Sequence, residues 1–419
     1  MSIQLLPHQK QLLEETILFN RVAYYIDTGL GKTFIAGEKF RHLDSPIALV
    51  VCQKSKIEDW VEHFASYYDY PVIVFNKQSI DEIPNSCILV INYDSLWRRP
   101  DIRKLTNYTL ILDESSYIIN DSSERTKFIL QLKPDNIILL SATPTGGKYE
   151  QLWAQSHLLG WKISKELYWR QYIETELIED PGGYPVRVIV GYKNIDRLKT
   201  KLRQYGAVFM KYEESGLKLP KKVESVIDVQ NTKEYARFKR ERLITVNGQE
   251  LVGDTALTKI LYLRQLAGMY NPNKVARLKE LLASINDRVI LFYNFKKEYE
   301  IITQVCSSLG RPTSYINGNG KDITTYKQHS NSVTIVQYKS GAMGENLQLA
   351  NKEIHFSPPL ESILFEQSLG RIRREGQKSD TCFYYYLITI NSIEEQIYKT
   401  LKQRKDFTDK LFEEMEEFH

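Results

Sequence analysis

Cysteine is scarce in this 419-residue chain, and the four present, Cys52, Cys87, Cys306 and Cys382, stand far apart. That spacing excludes a disulfide framework and a zinc finger or ribbon, both of which need close pairs. The seven histidines are just as dispersed, so no metal site built from protein side chains alone is expected. Long apolar runs are missing too: none approaches the roughly 18 residues of a membrane span. The opening MSIQLLPHQKQLLEE has no basic stretch followed by an apolar one. No secretory signal is read there, and an intracellular, cytoplasmic protein is expected. Neither sign of charge is in large excess: 56 Lys and Arg against 52 Asp and Glu leave a net +4, too little to identify nucleic acid as a partner. The basic residues do cluster, at Arg197 to Arg203, Lys218 to Lys222, Lys233 to Arg242 and Arg371 to Arg374. Each cluster alone fits a solvated helix face as well as a binding site.

What is present is an ordinary globular composition, 42% hydrophobic and 26% charged, over a length that suits two or three domains. From residue 22 to 144 short apolar runs alternate with amphipathic stretches: VAYYI, IALVVC, VIVF, CILVI, TLILD and NIILLS. Between the second and third runs, Ile57, Trp60, Val61 and Phe64 fall on one face of a helix. Continuous apolar strands separated by helices predict a parallel sheet covered on both faces. The alternation returns in RVILFYNF, TSYIN, SVTIVQY, EIHFS and TCFYYYLIT, which makes a second α/β lobe. The reading is a first lobe at 1–230, with a helical insertion at about 150–220, a turn at PGG (181–183) and a return to the sheet at VESVIDVQ. A helical connection at 231–272, a second lobe at 273–390 and a C-terminal helix at 391–419 follow.

Three strand ends carry the chemistry. In YYIDTGLGKTF a strand ends at Ile26, a loop follows, and a helix starts at Lys32. Gly29 and Gly31 let backbone N–H groups curl around phosphate oxygens, and the helix N-terminus adds its positive end. Lys32 can reach β- and γ-phosphates and the Thr33 hydroxyl can hold magnesium. The usual first glycine of such a loop is replaced by Ile26; a chance GKT turn is the plain alternative. Asp113 and Glu114 close another apolar strand, where one carboxylate can hold magnesium and its neighbour can deprotonate a water. NIILLSATPT ends a third strand with Ser141 and Thr143 at the same edge. Arg371 and Arg374, three apart, would project from one helix face and could neutralise charge on a transferred phosphoryl group.

With these motifs in order, the chain resembles superfamily-2 helicases and, within them, the Swi/Snf-like branch of double-strand DNA translocases. LLPHQ looks like the adenine-reading motif, which implies Gln9 as base contact; DTGLGKT, LDESS and SATP look like the first three motifs. LVVCQKSKIEDWVEHF is similar to the motif that sets Lys54 and Ser55 against the DNA backbone. FYNF and YKSGAMGENLQLA resemble the fourth and fifth motifs, implying nucleic-acid contacts at Lys339 and Ser340 and a nucleotide contact at Gly344. QSLGRIRREGQ resembles the sixth, implying Gln367 at the nucleotide. The branch's fold implies two RecA-like lobes in tandem, and its chemistry implies ATP and magnesium, with DNA a better partner than RNA. Three departures bear on the branch: SGA for AGG in the fifth motif, SPPLES before the sixth, and Arg373 where a histidine is usual. They leave a strand-separating DNA or RNA helicase as the alternative to duplex translocation. A non-motor nucleotide switch or kinase would have no use for Arg371 and Arg374. The bare length resembles compact motors of bacteria and their phages.

Overall fold

The computed structural model describes residues 3–76, 78–145, 148–179, 184–246, 248–341 and 347–413, with backbone only at 249, 256, 341 and 404–413. Two compact units emerge, one up to Leu217 and one over Lys218–Lys405.

The first unit is built on strands β1 (Arg21–Ile26), β2 (Ile47–Cys52), β3 (Val72–Val74), β4 (Cys87–Asn92), β5 (Tyr108–Asp113) and β6 (Asn136–Ser141). All six follow from the apolar runs. Side chains of β2 and β6 are buried along their whole length, as a parallel sheet covered on both faces demands. Each such buried aliphatic side chain contributes about 1.5–3 kcal/mol through removal from water. The sheet order is β3-β4-β2-β5-β6-β1, and all its ladders run parallel. The helix Ile57–Tyr67 lays Trp60 and Phe64 into the core, as the spacing predicts.

The stretch read as a helical insertion is mixed. It has helices Trp153–Leu158, Lys165–Tyr172 and Ile195–Gln204, but also an antiparallel ribbon of β7 (Ile173–Glu179) and β8 (Pro185–Tyr192). The PGG turn lies outside the described residues. A further strand, β9 (Ala207–Met210), joins the sheet beside β1. The ribbon shows no clean alternation to read: only Ile173 of β7 is buried, and the apolar Leu177, Ile178, Val186 and Ile189 are exposed beside its glutamates.

The return to the first lobe at VESVIDVQ is corrected by the structure. β10 (Lys221–Val229) pairs along its whole length with the last strand of the second sheet, Lys221 opposite Thr381 and Val229 opposite Thr389. An edge strand with one wet face alternates polar and apolar residues, and nothing in that pattern names which sheet it completes. The expected helical connection contains helices Lys233–Glu241 and Ala256–Ala267, plus a hairpin of β11 (Leu243–Val246) and β12 (Gln249–Val252). Tyr235, Phe238, Leu251 and Leu266 give it a small core of its own within the second unit.

The second sheet adds β13 (Val289–Tyr293), β14 (Thr313–Asn317), β15 (Gly320–Asp322), β16 (Val333–Gln337), β17 (Lys352–His355) and β18 (Thr381–Thr389). Its order is β10-β18-β17-β13-β16-β14-β15, parallel except for the β14–β15 edge. The C-terminal helix runs Ile393–Glu413, with Ile397 and Leu401 buried. It is pinned by Lys274, whose buried ammonium lies 2.5 Å from the Glu394 carboxylate. No helix among the described residues is long and apolar enough to cross a membrane.

Glu224 on β10 ties that edge to the helix. Its carboxylate accepts hydrogen bonds from Lys402 (2.8 Å) and Tyr386 (2.7 Å) and pairs with Lys222 at 2.9 Å. Burial pushes the carboxyl up, but the bonds from Lys402, Lys222 and Tyr386 outweigh it and hold the pKa at about 2, below the ordinary 4.5. A folded value below the unfolded one stabilises the native state above about pH 4.5, and that stability is lost as pH falls toward 2. Glu224→Gln is expected to lose about 2 kcal/mol at pH 7 and to flatten this part of the acid limb. Urea unfolding of both proteins between neutral and acid pH checks it; parallel curves would contradict it.

Candidate active site

In a parallel sheet the carboxyl ends of the strands form the edge where ligands are received. β1, β5 and β6 are neighbours, with Tyr25 in register with Ser141 and Asp113 with Leu140. The three sequence motifs therefore meet by topology alone.

The loop after β1 turns through Gly29 (φ 90°) and Gly31 (φ 76°), backbone that favours glycine, and the helix Lys32–His42 starts from Gly31 as N-cap. A Cβ on Gly31 would come within 2.2 Å of the Gln9 amide nitrogen, so the loop closes against that side chain. Lys32 Nζ donates to the carbonyls of Ile26 (2.9 Å) and Asp27 (3.1 Å), which holds the ammonium over the loop. Thr33 lies half-buried in the first turn of the helix.

Gln9 lies against this loop. Its Nε2 donates to Leu30 O (3.2 Å) and its Oε1 accepts from Leu6 N (2.9 Å), while His8 also contacts Leu30 O at 3.1 Å. Gln9 thus braces the loop and starts the helix Pro7–Glu15.

Asp113 ends β5, and Glu114 follows in the left-handed region (φ 52°). That conformation is uncommon for a residue with a side chain and turns the chain sharply at the edge. Tyr93 fixes it by donating to the carbonyl of Asp113 at 2.9 Å. Asp113 Oδ2 accepts from the indole of Trp60 at 2.9 Å. Burial raises the Asp113 carboxyl above the usual carboxylate range, while the Trp60 bond and the charges of Lys56 and Lys32 pull it down. Ser141 donates to Glu114 Oε2 at 3.4 Å, and Thr143 N donates back to Ser141 Oγ at 3.0 Å. The hydroxyls of Ser116 and Thr143 are buried with no protein partner among the described residues.

These groups fit a nucleotide with its cation: two left-handed glycines leading into a helix N-terminus, an ammonium, two carboxylates and, at Ser116 and Thr143, buried hydroxyls without a partner among the described residues. Thr33 and Asp113 are the oxygen donors suited to magnesium. Sequence reasoning missed Trp60 as a partner of Asp113, reading it only as core. It missed Tyr93 altogether, since its partner comes from a distant segment.

Lys54 and Ser55 sit in a short 3₁₀ turn after β2, at the same sheet edge, Lys54 exposed and Ser55 half-buried. In the second unit, Lys339 is exposed and Ser340 buried in a short helix after β16, where Ser340 Oγ donates to Gln337 at 3.3 Å. Gly344 lies outside the described residues. Gln367 is half-buried in the helix Ser362–Leu369.

Arg371 and Arg374 are not on a helix, contrary to the expectation. The helix stops at Leu369 with Gly370 as C-cap, and both arginines follow in turns, Arg371 mostly buried and Arg374 half-buried. Gly370 is a poor helix residue. The side chain of Gln377 donates to the carbonyls of Ile372 (3.0 Å) and Ala350 (2.7 Å), which holds the turn after the helix in place.

Residues 10–274 match the family model of the SNF2-related domain, and residues 273–376 that of the helicase conserved C-terminal domain. The chain is similar to a Bacillus subtilis protein described as the uncharacterized ATP-dependent helicase YqhH, at 21% identity over 98% of this chain and 80% of that protein. It is also similar to the DNA repair and recombination protein RAD54B of Gallus gallus, at 22% identity over 86% of this chain and 47% of that one. The chain thus spans less than half of RAD54B. Among solved structures, the Sulfolobus solfataricus SWI2/SNF2 ATPase core in complex with dsDNA matches with a TM-score of 0.48 and 19% identity, over 98% of this chain and 93% of that one.

Proposed function

Because the chain belongs to the SNF2-related family of ATP-dependent helicases, we propose that it is a DNA-stimulated ATPase that translocates on double-stranded DNA. The observation that carries the ATPase part is the convergence of the Gly29–Thr33 loop, the Asp113–Glu114 turn and the Ser141–Thr143 segment on one sheet edge.

In this reading the loop amides and Lys32 receive the phosphates of ATP. Glu114 takes a proton from a water as its oxygen attacks the γ-phosphorus, and the bond to the bridging oxygen breaks to release ADP. A magnesium ion held by Thr33 and Asp113 would neutralise phosphate charge. Gln9, which rests against the loop through its bond to Leu30 O, is proposed to contact the adenine base. Arg371 and Arg374 are proposed to stabilise charge on the transferred group, Gln367 and Gly344 to contact the nucleotide, and Lys54, Ser55, Lys339 and Ser340 to hold DNA phosphates.

The test is ATP turnover alone and with single-stranded DNA, duplex DNA or RNA. Duplex DNA is expected to raise it most, and Arg374→Ala to lose the stimulation with ATP affinity within a few-fold of the parent. An arginine in this role is worth ~10³–10⁵ in rate in related chemistry. Stimulation by single strands alone would favour the strand-separating helicase. Full duplex stimulation of Arg374→Ala would remove that residue from the mechanism.

A further inference from the structure

One side chain outside every motif touches all three strand ends of the site. Gln155 lies in the short helix Trp153–Leu158 and is fully buried. Its Oε1 accepts hydrogen bonds from Ser115 Oγ at 2.7 Å and from Tyr25 OH at 3.0 Å. Its Nε2 donates to the carbonyl of Pro144 at 2.7 Å. An amide oxygen has two lone pairs, so both are taken, and the amide nitrogen spends a proton on the third segment.

The identity of the three partners matters more than their number. Tyr25 is the penultimate residue of β1, which runs straight into the loop carrying Lys32. Ser115 follows Glu114, the residue in left-handed backbone. Pro144 follows Thr143, whose N–H binds Ser141, the donor to Glu114. Tyr25 and Ser115 are fully buried and Pro144 is buried, so water cannot replace any of these bonds if a segment shifts. A buried polar group left without its partner is costly, and that cost resists relative motion of the three segments.

We infer that Gln155 is a positioning residue that locks the phosphate-loop strand, the acid turn and the segment after β6 into one block, and so sets turnover and not nucleotide affinity. This rests on the ATPase reading above. The loop's own glycines, Lys32 and Thr33 would still receive phosphates without it. The placement of Glu114 against a water would not survive, and a misplacement of about 1 Å costs ~10²-fold in such chemistry.

Gln155→Leu keeps the volume and removes all three bonds. Its kcat for ATP is expected to fall by ~10–100-fold with KM within about threefold of wild type. Ser115→Ala and Tyr25→Phe, which each remove one bond and leave the amide in place, are expected to lower kcat in the same sense by less. Combining Gln155→Leu with Ser115→Ala should lower kcat little further than Gln155→Leu alone, since both break one block. If Gln155→Leu does not fold, the Ser115→Ala and Tyr25→Phe pair carries the test through kcat against KM. A wild type with no more turnover than Lys32→Ala would remove the ATPase reading and this inference with it. Wild-type activity together with unchanged kcat in Gln155→Leu, or in both single-bond variants, would overturn the inference alone, as would a rise in KM with kcat unchanged.

Discussion

Replacing Lys32 by alanine is expected to reduce ATP turnover by ~10²–10³-fold or more while the protein still folds. The reason is in its contacts. Lys32 is half-buried at the first helical position, and its ammonium rests on the carbonyls of Ile26 and Asp27. It packs no core, and alanine is the best helix former, so the helix from Lys32 to His42 keeps its start at Gly31. What alanine removes is a positive charge held over the Gly29–Gly31 loop, where the proposed polyphosphate would lie. Thermal unfolding within a few degrees of wild type, beside lost turnover, is the expected pair of results. Turnover at the wild-type level in purified protein would remove the loop from the site.

Glu114→Gln is expected to bind ATP within a few-fold of wild type and to hydrolyse it ~10²–10⁴-fold more slowly, the usual contribution of a general base. Glutamine has the same length and keeps an oxygen to accept from Ser141, as Glu114 Oε2 does at 3.4 Å. The left-handed turn at Glu114 is fixed through main-chain carbonyls by Tyr93, so the substitution does not disturb its support. What is lost is the carboxylate's charge and with it the capacity to take a proton. Nucleotide binding by calorimetry, set beside single-turnover hydrolysis, separates the two. A variant that no longer binds ATP would make Glu114 a structural residue and move the base elsewhere.

Strands were legible in the sequence because a parallel sheet buried on both faces writes itself as continuous apolar runs. VAYYI, TLILD and NIILLS needed no further information, and their chemical ends lay next to them in the chain. Strand β10 was harder. Its alternating pattern identifies an edge, but the partner, TCFYYYLIT, lies far along the chain, and both sheets have an edge to complete. The ribbon β7–β8 carries Glu174, Glu176 and Glu179 among apolar residues and reads equally well as a charged helix. In the candidate site, the glycines and acids stood out because phosphate chemistry favours such residue types at fixed spacing, and the topology sets them at one sheet edge. Gln155, Tyr93 and Trp60 were not, since any residue of suitable length could make their bonds and no spacing rule links Gln155 to Tyr25 or Trp60 to Asp113. The turns at Arg371 and Arg374 were missed because a helix can run through a single glycine or be capped by it, and the spacing of the motif does not tell which Gly370 does.

The pairing of β10 with β18 also fixes an order of events during synthesis. Lys221 meets Thr381 only after the ribosome has made the whole of the second sheet between them. At ~5–20 residues per second the first strand of that sheet waits on the order of ten seconds for its neighbour. The first sheet, by contrast, has all its strands once Met210 has emerged, and can close early. A strand kept waiting is a template for pairing with another chain. β10 opens with Lys221 and Lys222 and carries Glu224 and Asp228 further on, charges that keep such a nascent edge in water until its own partner arrives.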